Sequence, residues 1–143
     1  MVKPIVRDVR ILRQANQLVV ERENISGIIK DLEDTFAALK GYGLTAPQIG
    51  VQKQVAIVRL GNFKIDLINS KITDKQEPFR FKGESCFSFP GLKIDTRRYA
   101  KIWVRNAFSD EVKEYQGLIA VVLQHEIDHC HGVVILDRVW RGR

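Results

Sequence analysis

The sequence predicts an α+β fold in which antiparallel β-sheets pack around a central helix. The predicted strands are grouped between two predicted helices, and they lack the alternation of strand and helix that builds a parallel sheet. The second helix is strongly apolar, which is typical of a helix buried between other layers. The chain has 143 residues, of which 45% are hydrophobic, and contains no internal repeat or linker-like segment. Residues 1–143 are therefore predicted to form a single domain.

The first predicted helix covers residues 25–40. Its apolar residues recur at the spacing of one helix face: Ile25, Ile28, Ile29, Leu32 and Phe36. Asn24 is a residue type that caps the start of a helix, and Gly41 is the type that ends one. We therefore expect an amphipathic helix between these two positions.

A group of strands is predicted after this helix. Residues 52–60 are predicted to form one strand, Gly61-Asn62 is a tight-turn dipeptide, and residues 63–69 are predicted to be the returning strand. Further strands are expected at 77–83, 91–97, 100–107 and 111–115. These assignments favour hairpin connections and hence antiparallel pairing.

The apolar helix is predicted at residues 117–131. Gly132 lies where a C-terminal cap is expected, so the helix is predicted to end there. Residues 133–139 are expected to add a last short strand.

The composition is that of a globular protein without a targeting segment. Charged residues occupy the N-terminus where a signal peptide needs an apolar run, and no stretch approaches the ~20 apolar residues of a membrane span. We expect a cytoplasmic protein with no membrane contact; an organellar or viral origin is the alternative. In a reducing compartment, metal binding or catalysis is a better use for Cys86 or Cys130 than a disulfide.

The formal net charge of +6 admits attraction to nucleic acid or to a ribonucleoprotein surface. The basic residues are spread along the chain, and no block of five or six like charges occurs. A solvated surface therefore remains the simpler explanation of the charge.

The arrangement H-E-x-x-H at His125, Glu126 and His129 indicates a metal site. Residues four apart on a helix are separated by about 40° of rotation and about 6 Å of rise, so both imidazoles can reach one ion. Glu126 can then lie beside a metal-bound water as its proton acceptor. The alternative is a buried helix whose histidines only pack.

The third ligand of such a site has to come from upstream. Metalloproteases with this motif take it from a later Glu or His, but Ile135 occupies the final ligand position of the longer pattern and no Glu follows Glu126. Cys86, in a turn-rich segment between predicted strands, is the best candidate. Cys130 and His131 are rotated away from the metal face of the helix, which favours packing or surface roles.

The segment from Gly41 to Gly50 is a further candidate for the site. Gly41 and Gly43 permit a sharp turn and a close approach of the backbone to a ligand. Gln48 offers an uncharged amide donor that can stabilise a developing oxyanion. Taken alone, the segment is equally explained as a helix stop followed by a turn.

Together, the patterns G-x-G-x-x-A-P-Q-I-G, E-x-C-x-S and Q-H-E-x-D-H, in this order, resemble the three motifs of the peptide deformylase family. The resemblance implies hydrolysis of the N-formyl group from the initiating methionine of nascent chains. It further implies that Cys86, His125 and His129 bind one divalent ion, ferrous iron in this family, with zinc, nickel or cobalt able to occupy the site. Glu126 would take a proton from the metal-bound water and pass it to the leaving amine.

The resemblance also implies roles for residues around the metal. Gln48 and the backbone N–H of Phe87 would hold the formyl oxygen. A Glu84–Arg98 pair would fix the cysteine loop, with a surface ion pair as the alternative, and Asp128 would orient a ligand histidine.

The substrate peptide is expected to lie extended and to bond to the backbone edges of residues 42–44 and 85–87. Its methionine side chain would enter a pocket that includes the ligand His125. The predicted substrate-binding residues are Tyr42, Gly43, Leu44, Ser85, Leu118, Val121 and Val122. The expected partners are N-formylmethionyl nascent peptides and, through a weak electrostatic contact, the ribosome; we expect a monomer.

Four residues depart from the pattern that is usual in the family. Ser85 and Phe87 replace a glycine and a leucine, Tyr42 replaces a small aliphatic residue, and Thr45 replaces an alanine. These changes bear on substrate preference and rate.

Rival functions are a short zincin-like protease, a hydrolase of other N-acylated peptides, and a non-catalytic fold that binds nascent chains or ribosomal RNA.

Overall fold

The computed structural model describes residues 1–142. In chain order its elements are α1 (Val9–Leu12), α2 (Ser26–Phe36), β1 (Gly43–Thr45), a 3₁₀ turn (Ala46–Ile49), β2 (Val55–Leu60), β3 (Phe63–Ile68), β4 (Lys71–Glu84), β5 (Ile94–Arg105), β6 (Val112–Gln116), α3 (Gly117–Cys130) and a second 3₁₀ turn (Ile135–Arg138). The predicted order of helix, strands and apolar helix is confirmed.

The strands form two antiparallel three-stranded sheets, with orders β1-β2-β3 and β4-β5-β6. Helix α3 packs against strands of both sheets. The main core is made of buried residues that β2, β3, β5 and α3 contribute: Ala56, Val58, Leu67, Ile102, Val104, Ala120, Val122, Leu123, Ile127 and Cys130. The predicted α+β fold with a central helix is therefore confirmed.

Helix α2 closes a second core cluster on the β1-β2-β3 sheet. Leu32 of α2 and Leu44 of β1 are fully buried in this cluster. The helix begins at Ser26, whose backbone N–H donates to Asn24 Oδ1 at 3.0 Å, so the predicted capping side chain acts at the helix start. It ends at Phe36 rather than at residue 40.

Two of the strand predictions were wrong. Residues 91–97 and 100–107 do not form separate strands, because β5 runs without a break from Ile94 to Arg105. Arg98 pairs with Phe79 and Tyr99 with Pro78, so the polar middle of β5 stays in the ladder with β4. Strand β4 is also longer than predicted: its first half is polar and exposed, and backbone pairing rather than an apolar pattern holds it in the sheet.

The prediction of a last strand at residues 133–139 was also wrong. This segment forms a 3₁₀ turn, and only a single bridge joins Val139 to Thr96 of β5. The turn is stabilised locally, because Asp137 Oδ2 accepts the backbone N–H of Val134 at 3.0 Å. Helix α3, by contrast, ends close to its predicted position, and Gly132 follows it with a positive φ of 74°.

Candidate metal centre

The structure brings together three side chains that can bind a metal ion: Cys86, His125 and His129. One donor atom from each lies within 4.8 Å of the others. Cys86 Sγ and His129 Nε2 are 3.2 Å apart, and both residues are buried. The helix supplies both imidazoles from one face, as the four-residue spacing predicted.

The end of β4 determines where the cysteine loop enters the site. Register with β5 shifts between Phe81 and Glu84, and Gly83 within the shift has a φ of 71°. A glycine is needed there because side chains rarely tolerate this conformation. The irregularity buries Glu84 and leads directly into the loop that carries Cys86.

A buried network of charges joins Glu84 to a histidine of the site. Arg98 donates to both carboxylate oxygens of Glu84, from Nε at 2.8 Å and from Nη2 at 2.5 Å. Their side chains are only 3% and 5% exposed, which excludes the alternative of a surface ion pair. Burial would raise the pKa of Glu84, but the hydrogen bonds from Arg98 and His125 outweigh it and lower the pKa. Glu84 is therefore ionised and acts only as an acceptor.

The ionised Glu84 fixes the orientation of His125. Nδ1 of this ring lies 2.7 Å from Glu84 Oε2 and donates to it, which leaves Nε2 for the metal. Burial opposes the charge on His125, but hydrogen bonds with Cys86 and Glu84 raise its pKa well above the ordinary value, so a metal ion has to displace the proton on Nε2 when it binds. Burial, with the nearby charge of His125, lowers the pKa of His129, so this ring is neutral as a ligand has to be.

The structure corrects the role expected for Asp128. Its carboxylate does not bond to a ligand histidine; it accepts from Arg98 Nη1 at 2.7 Å and from Arg138 Nη2 at 2.9 Å. The physical reason is that two guanidinium groups occupy its oxygens. Asp128 therefore reaches His125 only through Arg98 and Glu84, and Glu84 is the residue that holds the ring.

Glu126 lies beside the three donor atoms. Its carboxylate is buried, Oε1 has no hydrogen-bond partner within residues 1–142, and this atom is 3.8 Å from His125 Nε2. Burial raises the pKa of Glu126 to about 7. Gly43 of β1 faces it so closely that any Cβ at position 43 would collide with the carboxylate. A group of this pKa can both take and return a proton near neutral pH.

Gln48 is held with its donor end towards the cysteine. Its Oε1 accepts from the backbone N–H and the hydroxyl of Thr45, both at 3.1 Å. Its Nε2 consequently faces Cys86 Sγ at 3.5 Å and Ser88 Oγ at 3.2 Å. This is the orientation that a donor to a developing oxyanion needs.

Phe87 presents its ring and its backbone to different surroundings. The ring lies against Gly41, where a Cβ would collide with it, and contacts the second core cluster. The backbone N–H of Phe87 has no acceptor in the described part of the chain. It is therefore available to a ligand, and the role that the resemblance implies for it stays a prediction.

A cleft of about 740 Å³ opens at these residues. It is lined by six of the seven predicted substrate-binding residues: Tyr42, Gly43, Ser85, Leu118, Val121 and Val122. Leu44 is different, because its side chain is fully buried in the second core cluster and only its backbone belongs to the edge strand β1. The sequence analysis missed Phe81, Phe89 and Leu92, which also line the cleft. For Phe89 and Leu92 the available signal was their apolar character within a turn-rich segment, whereas Phe81 lies in β4.

The donor set fits a transition-metal ion. A tetrahedral ion with one sulfur and two nitrogen ligands holds sulfur and nitrogen about 3.5 Å apart, close to the separation of Cys86 and His129. His129 Nδ1 is buried without a partner among residues 1–142. Thiolate and imidazole are ligands suited to zinc and iron, so the residues present fit such an ion.

The remaining candidates lie away from the site, as predicted. Cys130 belongs to the main core, and neither cysteine is in a disulfide. His131 Nε2 lies 3.0 Å from the backbone oxygen of Ser70. Within residues 1–142, no helix has the length and apolar character that crossing a membrane requires.

Comparisons with known proteins point to one family. The family model for polypeptide deformylase matches residues 2–143. Peptide deformylase 1 of Bacillus anthracis is 40% identical over 119 residues, which are 80% of this chain and 76% of that protein. The peptide deformylase structure from Thermotoga maritima superposes with a TM-score of 0.88 at 29% identity and covers 99% of both chains. That from Synechococcus elongatus, in complex with actinonin, has a TM-score of 0.87 at 29% identity and covers 99% of this chain and 80% of that one.

Proposed function

The chain belongs to the peptide deformylase family of enzymes, and we propose that it removes the N-formyl group from the initiating methionine of newly made proteins and releases formate. The observation that carries the proposal is the convergence of one sulfur and two imidazole nitrogens within 4.8 Å, beside the buried carboxylate of Glu126. A module that only binds peptides needs no such combination.

Cys86, His125 and His129 would hold one divalent ion, which by resemblance is ferrous iron, with zinc, nickel or cobalt as possible substitutes. When bound, such an ion lowers the pKa of water and polarises a carbonyl oxygen. Glu84 contributes by presenting Nε2 of His125 to the ion. Arg98 in turn keeps Glu84 ionised.

Glu126 moves the proton in this reaction. It accepts a proton from the attacking water as the oxygen–carbon bond to the formyl group forms. It then donates that proton to the amine nitrogen as the carbon–nitrogen bond breaks, so that formate and a free amino terminus result. Its pKa of about 7 suits both steps near neutral pH.

Two donors would stabilise the formyl oxygen as it gains charge. Nε2 of Gln48 is aimed at the site because Thr45 holds the other end of the amide. The backbone N–H of Phe87 is the second donor. One oxyanion donor typically lowers the barrier by about 2.7–4 kcal/mol.

The peptide would bind as an added strand. β1 pairs with β2 along one edge only, so the other edge of residues 42–44 is open to a substrate backbone, with residues 85–87 across the cleft. The methionine side chain would enter the apolar part of the cleft, at Leu118, Val121 and Val122. We expect actinonin to bind in this cleft, as it binds the similar protein of Synechococcus elongatus. The rings of Tyr42 and Phe87 would shape peptide preference.

We also propose that the enzyme acts as a cytoplasmic monomer that contacts the ribosome weakly through its net charge of +6. Such a contact is electrostatic, so ribosome co-sedimentation should be detectable at low salt and fade as salt rises. If the protein did not bind ribosomes at low salt, the proposed ribosome contact would be wrong.

The activity is tested by formate release from formyl-methionyl peptides, with acetyl-methionyl peptides and internal peptide bonds as comparison substrates. Only the formylated peptide should react, which separates deformylation from hydrolysis of other N-acyl groups and from proteolysis. Glu126→Gln should keep its metal and lose about 10²–10⁴-fold in turnover. Glu21→Gln, which removes an exposed carboxylate, is the matched control. If Glu126→Gln kept wild-type turnover, Glu126 would not be the general base.

A further inference from the structure

A second cavity, of about 440 Å³, shares no lining residue with the cleft at the metal centre. Its walls come from β4, β5, α3, the second 3₁₀ turn and the segment that follows this turn. The volume lies within the range of small-molecule sites. Of its lining residues, Arg98 and Asp128 also belong to the charge network that reaches His125 through Glu84.

The cavity is strongly basic. Among residues 1–142, two carboxylates, of Asp128 and Asp137, line it together with five cationic side chains, a difference of three positive charges. The cationic residues are Lys75, Arg97, Arg98, Arg138 and Arg141. Such an excess in a concave site attracts anions.

Both carboxylates are already engaged. Asp128 accepts from Arg98 and Arg138, and Asp137 accepts from Arg13 Nη2 at 2.9 Å. Lys75 and Arg141 form no ion pair in the described part of the chain. The two described carboxylates therefore leave the charges of Lys75 and Arg141 available to a ligand.

Tyr99 arranges two of the cations along one wall. Lys75 Nζ lies 4.7 Å from the centre of its ring, and the Arg97 guanidinium lies 5.8 Å from it. The backbone of Tyr99 is fixed to α3, because its N–H donates to Gln124 Oε1 and its carbonyl accepts from Gln124 Nε2. A hydrogen bond from Arg97 lowers the pKa of the Tyr99 phenol despite burial, and Lys75 and Arg138 act in the same direction, as expected in a positive field.

We propose that this cavity is a binding site for a phosphate-bearing ligand of up to nucleotide size, contacted by Lys75, Arg97 and Arg141. A phosphate monoester carries close to two negative charges and three acceptor oxygens, which matches the excess charge better than one carboxylate does. Arginine forks bind phosphate through two parallel hydrogen bonds. A free nucleotide presents such a monoester, whereas an RNA chain presents it only at a phosphorylated end and carries one charge on each linking diester.

The test is a titration of full-length, zinc-loaded protein with inorganic phosphate, a nucleoside monophosphate and a short oligoribonucleotide at fixed ionic strength. Binding is followed by calorimetry and by the backbone amide NMR shifts. Saturable binding should move the signals of Arg97, Tyr99 and Arg141 and leave those of Gly43 and Cys86 in place. Equal affinity for the mononucleotide and the oligomer identifies a small-molecule site, and tighter binding of the oligomer identifies an RNA contact.

The double variant Arg97→Gln/Arg141→Gln should weaken binding about tenfold, which corresponds to about 1.4 kcal/mol. Arg7→Gln/Lys64→Gln removes two exposed charges elsewhere and should change the affinity less than about twofold, as expected for distant, screened charges. Equal weakening in both variants, shifts confined to the metal centre, or no saturable binding would overturn the proposal. Because no step measures formate release, this result is independent of the proposed activity.

Discussion

Gly43 leaves room for the carboxylate of Glu126, which is the proposed proton-transferring group. A Cβ at position 43 would collide with the end of that side chain, and it would meet no other group first. Gly43→Ala should therefore displace the carboxylate, not the backbone. We expect a loss of about 100-fold in turnover, which is typical of a catalytic group misplaced by about 1 Å, with little change in the melting temperature.

Gly27→Ala is the matched control for this prediction. Gly27 lies in α2, and a Cβ there would meet nothing within 4 Å. The control should keep full turnover and gain about 0.5–1 kcal/mol of stability. If Gly43→Ala kept wild-type turnover, the close approach of Gly43 to the Glu126 carboxylate would not be needed for catalysis.

Gln48 and Thr45 should differ in how much they contribute to turnover. Gln48→Ala removes the proposed donor itself, so kcat should fall about 10²–10³-fold with little change in KM. Thr45→Val removes one of the two hydrogen bonds that orient the amide and keeps the backbone one, so its effect on kcat should be smaller. A rise in KM with unchanged kcat in Gln48→Ala would contradict a role in the transition state.

At the scale of single residues, the sequence analysis succeeded where spacing along one element carries the geometry. His125 and His129 are neighbours on any helix, so their meeting needed no tertiary information. The contact between Gly43 and Glu126 and the bond between Glu84 and His125 depend on how distant segments pack. Neither contact leaves a local pattern in the sequence.

At the scale of elements, the irregular end of β4 is the feature that links sheet and site. It buries Glu84 against Arg98 of β5 and His125 of α3. Glu84→Gln keeps the shape but leaves the buried Arg98 without its main counter-charge. We expect a loss of about 3–5 kcal/mol in the free energy of unfolding, measured by urea denaturation of the metal-free protein.

Glu111→Gln is the control for this prediction, because Glu111 pairs with Lys113 at the surface. Exposed pairs contribute at most about 1 kcal/mol, so the variant should unfold like the wild type. A Glu84→Gln variant of wild-type stability would show that the buried network serves orientation alone.

The errors in the bounds of β4 and β5 have one physical cause. The start of β4 and the middle of β5 are polar, and neither follows the alternation by which strands are recognised. Backbone pairing holds them, and Arg98 is buried in β5 because two carboxylates from other segments bind it. Tertiary partners of this kind cannot be identified from a local window of sequence.

At the scale of the whole molecule, the three proposed ligands tie the loop after β4 to α3. Metal binding should therefore stabilise the fold, by about 4 kcal/mol when free metal exceeds its Kd a thousandfold. For a chain of this size, chelation should lower the melting temperature by about 10 °C, as measured by calorimetry. In Cys86→Ala, the melting temperatures of the metal-loaded and chelated forms should differ much less than they do in the wild type.

Cys130→Ala is the contrasting variant, since Cys130 lies in the main core and away from the ion. It should melt at a lower temperature in both forms, because it creates a cavity, and should keep the full response to chelation. An equal response to chelation in Cys86→Ala and the wild type would exclude Cys86 as a ligand.

The class of fold was predictable because it follows from the grouping of strands between helices. The division of six strands into two sheets was not, since antiparallel hairpins can be joined in several orders with the same apolar pattern. The position of α3 between the sheets was indicated by its apolar character, which leaves it no exposed face of any width.

The order of the sulfur and the two nitrogens along the polypeptide has a consequence for biosynthesis. The thiol at position 86 is translated well before the imidazoles at 125 and 129, and the amide at 48 earlier still. A growing copy thus stays inert until its last helix has left the ribosome and docked between the sheets. Under the proposed function, the N-formyl group of a growing copy would therefore have to be removed by molecules that have already folded.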